Sequence, residues 1–154
     1  MDLQLKGKCA LITGGSRGIG LGAARLLARE GCNLHLAARS AADLDAAKAQ
    51  ITAEHHVNVH CHALDLSVAS NAVALARECR DVDFLVNNAG SIPQGTLDTL
   101  DDETWKKSWD LKVFGFIDIT REIIDVLQPF DISVHGHLIV GTSGVVSFRS
   151  AGMI

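Results

Sequence analysis

Short apolar runs alternate along this chain with stretches in which apolar residues recur every three or four positions. Cys9-Ala10-Leu11-Ile12 is the first run and ends at Thr13-Gly14-Gly15; Ile19, Ala23, Leu26 and Leu27 then follow at helical spacing, and Gly31 stops that helix as a C-cap would. Leu34 to Ala38 predicts a second strand, and Ser40 with Asp43 has the form of a capping box ahead of a helix lined by Leu44, Ala47 and Ile51. Val57 to Ala63 alternates as a strand, Ser67 is placed to cap a third helix reaching Cys79, and Val82 to Val86 reads as a fourth, fully buried strand. Beyond the loop Ser91-Ile92-Pro93-Gln94-Gly95, a long helix starts near Asp101. It carries Trp105, Trp109, Val113, Phe116, Thr120 and Ile123/Ile124 on one face and stops at Pro129; His137 to Thr142 is a fifth strand. Strands alternating with helices predict an α/β fold: an open parallel sheet of about five strands with helices on both faces.

Composition narrows the picture. The chain has 154 residues, 47% of them apolar, which suits one domain with a real core. Lys plus Arg is 14 against 18 Asp plus Glu, with no basic block, so no nucleic-acid partner is expected. No apolar run approaches the ~18 residues of a membrane span, and Met1-Asp2-Leu3-Gln4 does not resemble a signal peptide, so a cytoplasmic protein without a membrane partner is expected. Cys9, Cys32, Cys61 and Cys79 are widely spaced and read as reduced, buried small residues. His60 and His62 share one strand face, with His55 and His56 nearby, but third and fourth ligands are not evident, so no metal site is expected. Asp98, Asp101, Asp102 and Glu103 suit the positive end of a helix dipole and are assigned no chemistry.

The turn after the first strand is Thr13-Gly14-Gly15-Ser16-Arg17-Gly18-Ile19-Gly20. Glycine lets backbone approach a ligand closely, and the helix that opens here directs free N–H groups at the turn, an arrangement suited to a pyrophosphate. Leu21 stands where a phosphate-binding Walker loop requires Lys, and the glycines follow G-x-x-x-G-x-G rather than G-x-G-x-x-G. With Leu64-Asp65-Leu66, Asn87-Asn88-Ala89-Gly90 and a long helix bearing Trp105 and Gly115, this pattern resembles the short-chain dehydrogenase/reductase family over residues 5 to 148. The resemblance implies a Rossmann-type doubly wound sheet forming a single dinucleotide-binding domain over 1–154, incomplete at its C-terminus. It also implies that Gly14, Ser16, Arg17, Gly18, Ile19 and Gly20 hold the cofactor pyrophosphate. Asp65 and the Leu66 backbone would meet the adenine, and Asn87, Ala89 and Gly90 would lie along the ribose.

A carboxylate at the end of the second strand would favour a free ribose 2′-OH; this chain has Ala37-Ala38-Arg39-Ser40 there. Arg39, with Arg17 from the glycine turn, is placed to meet a 2′-phosphate, so NADP(H) is preferred and NAD(H) is the weaker choice; two surface arginines are the plainer reading.

The catalytic pattern departs from the family. The chain has no tyrosine, so the family's Tyr-x-x-x-Lys pair is not among these residues and is expected past Ile154. Lys112 stands where the resemblance places a relay Asn, and Gly144 where it places a Ser, with Ser143 one residue before. Ser143 and Lys112 are the catalytic candidates; Lys112 shares a helix face with Trp105, Trp109 and Phe116, which points it inward unless it snorkels. The function implied is an NADP(H)-dependent oxidoreductase interconverting a small-molecule alcohol and carbonyl, homo-oligomeric (dimer or tetramer) in its complete form, with Phe116 and Ile123 at the interface. Two alternatives stay open: a catalytically inactive dinucleotide-binding or regulatory protein, or an incomplete chain of a longer reductase that is inactive alone.

Overall fold

In the computed structural model, which describes residues 3–91, 93–96, 98–128, 138–141 and 144–147, β-branched and leucine-rich runs form the centre of a parallel sheet. Its strands are β1 (Cys9–Thr13), β2 (Asn33–Ala38), β3 (Val59–Ala63) and β4 (Phe84–Val86), in spatial order β3-β2-β1-β4. The register is fixed by pairs such as Leu11 with His35, Leu36 with Cys61, and Ile12 with Val86. Because side chains alternate across a strand, β1 feeds two cores. Ala10 and Ile12 join Leu34, Leu36 and Val59 beneath α1 (Gly18–Arg29) and α2 (Ala41–Glu54), where Ala24, Ala28, Leu44, Ala47 and Ile51 are buried. Cys9 and Leu11 join Ala37 beneath α3 (Ala69–Glu78) and a later helix, with Ala72, Leu75, Ile119, Ile123 and Leu127. Burial pushes the Cys9 and Cys79 thiols up to about 12, which keeps both protonated.

The local signals act as expected at most boundaries. Ser40 Oγ accepts from the Asp43 N–H, and Gly31 takes φ +86° just beyond the end of α1. Asp101 caps the long helix by accepting from the Thr104 N–H at 2.8 Å. Ser67 does not cap α3: its N–H and hydroxyl both turn back to Asp65 Oδ1, at 3.0 and 2.8 Å, and the helix starts at Ala69.

The sheet matches its expected class, and three finer expectations, on β4, the long helix and Ile123, are corrected. The expected open parallel sheet is present with four strands, and the fifth strand, β5 (Leu138–Gly141), pairs antiparallel with β6 (Gly144–Ser147), Gly141 opposite Gly144. The described sheet therefore ends at β4, which is not fully buried; Phe84 is 39% exposed. The long helix is not one apolar stripe. It runs as α4 (Asp102–Trp109), a π-helical turn (Asp110–Phe114) and α5 (Gly115–Leu127). The wider turn shifts the helical register, so Gly115, Ile119, Ile123 and Leu127 face the core while Trp109 is 55% exposed. Ile123, expected at an oligomer interface, is instead a core residue.

Gly115 marks where this helix crosses the loop after β3. A Cβ there would lie 2.6 Å from the Leu66 carbonyl oxygen, a backbone atom held by the fold. Gly115→Ala is expected to destabilise the protein by about 1–3 kcal/mol. Gly22→Ala, in an α1 position with open space around it, should stabilise it by about 0.4–1 kcal/mol. Chemical denaturation of the two variants against the parent checks both signs.

Candidate functional site

The carboxyl ends of all four parallel strands open into one cleft of about 470 Å³. Open α/β sheets bind ligands at this end, because strand-to-helix turns there present free backbone donors. The cleft is held together by Thr13, a fully buried residue at the end of β1. Its hydroxyl donates to the Val86 carbonyl at 3.3 Å and accepts the N–H groups of Asn88 and Ala89, each at 3.0 Å. The Asn88 side chain returns the contact, donating to the carbonyls of Thr13 at 3.0 Å and Gly14 at 3.2 Å. Together these bonds tie the glycine turn to the chain leaving β4.

That clasp explains the glycine spacing. Gly14 has φ +67°, and a Cβ on it would sit 2.9 Å from Ala89 Cα; a Cβ on Gly20 would sit 2.2 Å from the Gly14 oxygen. The two glycines let the first turn of α1, the end of β1 and the β4 loop stack directly on one another. Of the residues expected to hold a cofactor, Gly14, Ser16, Arg17, Ile19, Arg39, Asp65, Leu66, Ala89 and Gly90 line the cleft. Gly18 and Gly20 do not: Gly18 turns the chain with φ +56°, and Gly20 packs beneath. Asn87 is also outside the lining. Its amide donates to Thr120 Oγ1 on α5 at 3.0 Å, while its buried Oδ1 has no partner among the described residues.

Charge in the cleft is balanced across its mouth. Arg17 donates to Asp43 at 2.5 Å, and this bond holds the Asp43 carboxyl below the usual carboxylate range. The two Ser67 bonds, the backbone N–H foremost, do the same for Asp65, whose carboxylate also feels the charge of Arg39. Both acids are therefore ionised at neutral pH. Arg39 lines the cleft and makes no salt bridge among the described residues. Ile19, an apolar residue 85% exposed, lies open to the same space. The sequence pattern does not single out Thr13, Asn88 or Asp43; Asn88 stands beside Asn87 in the Asn-Asn-Ala-Gly segment, and Asp43 reads as a capping residue.

Of the two catalytic candidates, Lys112 is among the described residues. Ser143 lies outside the described residues. Lys112 is exposed rather than inward, on the π-helical turn, yet its side chain reaches back over the cleft rim: a Cβ placed on Gly90 would be 3.7 Å from its Nζ. The stem covers Gly90 while the ammonium stays in water, which is the snorkelling alternative.

Comparison with known proteins agrees with this architecture. The family described as short chain dehydrogenase matches residues 8–153. The chain is 38% identical over 107 residues to a D-beta-hydroxybutyrate dehydrogenase of Cupriavidus necator, covering 66% of this chain and 41% of that protein. It is 33% identical over 118 residues to a galactitol 2-dehydrogenase (L-tagatose-forming) of Cereibacter sphaeroides, covering 77% and 46%. Among solved structures, L-sorbose reductase from Gluconobacter frateurii, complexed with NADPH and L-sorbose, superposes with a TM-score of 0.78 at 32% identity over 84% of this chain and 51% of that one. An alcohol dehydrogenase from Thermococcus sibiricus, complexed with 5-hydroxy-NADP, gives 0.74 at 33% identity, over 80% and 55%. The chain thus spans about half the length of the relatives it matches.

Replacing Thr13 by Val keeps the shape but removes the acceptor of two N–H groups. The expected cost is about 1–3 kcal/mol in unfolding free energy. Faster hydrogen exchange confined to Asn88, Ala89 and their neighbours would locate the loss at the clasp.

Proposed function

This chain belongs to the short chain dehydrogenase family, and from that premise we propose that it is the dinucleotide-binding domain of an NADP(H)-dependent oxidoreductase interconverting an alcohol and a carbonyl. The observation that carries the cofactor reading is the mouth of the cleft at the end of β2. Ala37 and Ala38 put no carboxylate at that strand end, and Arg39, which makes no salt bridge among the described residues, follows at once. A 2′-phosphate there would gain a charge-assisted, two-pronged partner. Arg17 stands on the other side, already engaged by Asp43, so it would have to exchange one anion for another. The neighbours solved with NADPH and 5-hydroxy-NADP support the same preference; NAD(H) is the weaker alternative.

The remaining residues fit a dinucleotide. Gly14 and Ser16 with the first turn of α1 offer backbone donors to a pyrophosphate, and the free side of the Asp65 carboxylate with the Leu66 backbone suits an adenine edge. Ala89 and Gly90 leave room for a ribose beside the β4 loop. When bound, the nicotinamide supplies or accepts the hydride. The chain's own task is then to orient it, exclude water and handle the proton at the substrate oxygen. With no tyrosine among the 154 residues, Lys112 at the Gly90 rim is the proton-carrying candidate, with Ser143 as a second. Phe114, Ile117 and Ile124 are exposed on the long helix and suit a homo-oligomer contact. No helix among the described residues is long and apolar enough to cross a membrane.

Two measurements test this reading. In cofactor titrations NADPH should bind more tightly than NADH, and Arg39→Ala should weaken NADPH about tenfold or more while leaving NADH nearly unchanged; equal wild-type affinities would overturn the preference. Without a phenol of lowered pKa, general acid assistance of ~10²–10⁴ in rate is lost, so the 154-residue chain should consume NADPH with ketones no faster than background. Steady consumption abolished by Lys112→Ala would instead make Lys112 the acid.

A further inference from the structure

We propose that His35, His62 and Cys79 form a buried binding site for a zinc ion on the sheet face covered by α3, apart from the cofactor cleft. His35 on β2 and His62 on β3 point to the same side of neighbouring strands, and Cys79 closes over them from the C-cap of α3. Their donor atoms converge: His35 Nδ1 is 2.7 Å from His62 Nε2, and the Cys79 sulfur is 3.4 Å from the first and 3.8 Å from the second. Side-chain exposure is 6% for His35 and 9% for His62, and Cys79 is fully buried.

The far side of each ring faces a carboxylate. His62 Nδ1 is 2.9 Å from Glu78 Oε2. His35 Nε2 is 3.1 Å from Asp81 Oδ1, close but not aligned as a hydrogen bond, and Asp81 is exposed enough to swing into line. Hydrogens can sit on these two rings in two ways. If each far nitrogen carries the hydrogen that its carboxylate calls for, both near nitrogens present lone pairs to one another and to the sulfur. Two neutral rings cannot also supply the hydrogen of a 2.7 Å contact. With the His35 hydrogen on Nδ1 instead, that contact is an ordinary hydrogen bond between neutral rings, and His35 Nε2 is left without a hydrogen-bond partner among the described residues. A metal ion between the near nitrogens would take both lone pairs and leave each far nitrogen its hydrogen for Glu78 and Asp81.

The donor set selects the metal. Two imidazole nitrogens and the Cys79 sulfur, which would release its proton to solvent on meeting the ion, suit zinc and do not suit magnesium or calcium. Tetrahedral bonds of the usual length put nitrogen donors about 3.3 Å apart and nitrogen and sulfur about 3.6 Å apart. The sulfur distances already bracket that value, and the two rings, stacked with centroids 5.0 Å apart, need to part by about half an ångström. A carboxylate on the outer nitrogen of each ligating histidine is the usual support for such a site. Three protein ligands leave a fourth position for water or a small anion.

The test is zinc competition against a chromogenic chelator, with cobalt as the spectroscopic substitute. One equivalent of zinc per chain and a sulfur-to-cobalt charge-transfer band are expected. Cys79→Ser should abolish the band and weaken zinc at least tenfold. Glu78→Ala alters only an exposed acid and so preserves the fold; it should weaken zinc about 10–100-fold, which keeps the test decisive if Cys79→Ser folds poorly. A double His55→Gln, His56→Gln variant should bind as the parent does. Absence of a stoichiometric site, absence of the band, or equal affinity in the parent and Glu78→Ala would overturn the proposal.

Discussion

The fold and its cleft depend on one buried hydroxyl. Thr13 ends β1 at the centre of the sheet, and its hydroxyl oxygen carries the N–H groups of Asn88 and Ala89 in the loop that leaves β4. In a buried setting each such donor must find a partner or cost about 1–3 kcal/mol. The polar bookkeeping of two chain segments, 75 residues apart, is therefore settled at a single atom. Asn88 reinforces it by donating to the Thr13 and Gly14 carbonyls, the groups that β1 leaves unpaired as it turns. Gly14 and Gly20 are the steric side of the same constraint, since any Cβ would push these backbones apart.

On that frame the cleft assembles charges whose balance decides what can enter. Arg17 and Asp43 satisfy one another across the mouth, while Arg39 is left facing the space beyond β2. An anion arriving there meets one guanidinium that makes no salt bridge among the described residues and one that must first be released. The exchange costs little at an exposed pair, because solvent screens most of its strength. The mouth is thus shaped by side-chain charge, and the interior beside Gly14 and Gly90 by backbone.

The long helix shows how a local irregularity redirects a whole face. Its π-helical turn at Asp110–Phe114 puts Ile119, Ile123 and Leu127 against α3, and leaves Trp109 and Phe114 in solvent. The same turn holds Lys112 at the Gly90 rim rather than in the core. An ammonium in that position keeps its hydration, which burial among the apolar residues of α5 would have removed.

Much of this was legible along the chain, and the reason is locality. The strand–helix alternation, the glycine turn, the Gly31 stop and the Asp101 cap depend on residues a few positions apart, where propensity and hydrogen-bond reach are short-range. The nine expected residues found lining the cleft follow from the same logic, because strand ends and the turns after them are readable from sequence. What only tertiary structure decided involves distant partners or a change of helical period. Asp43 reads as half of a capping box until α1 and α2 place it beside Arg17. His62 has no third ligand in its own segment; His35 lies 27 positions away and Cys79 17, and sheet pairing with the α3 cover brings them within a bond or two of each other. A π turn cannot be read from a repeat of three and four, so the exposure of Trp109 and the burial of Ile123 followed from packing alone.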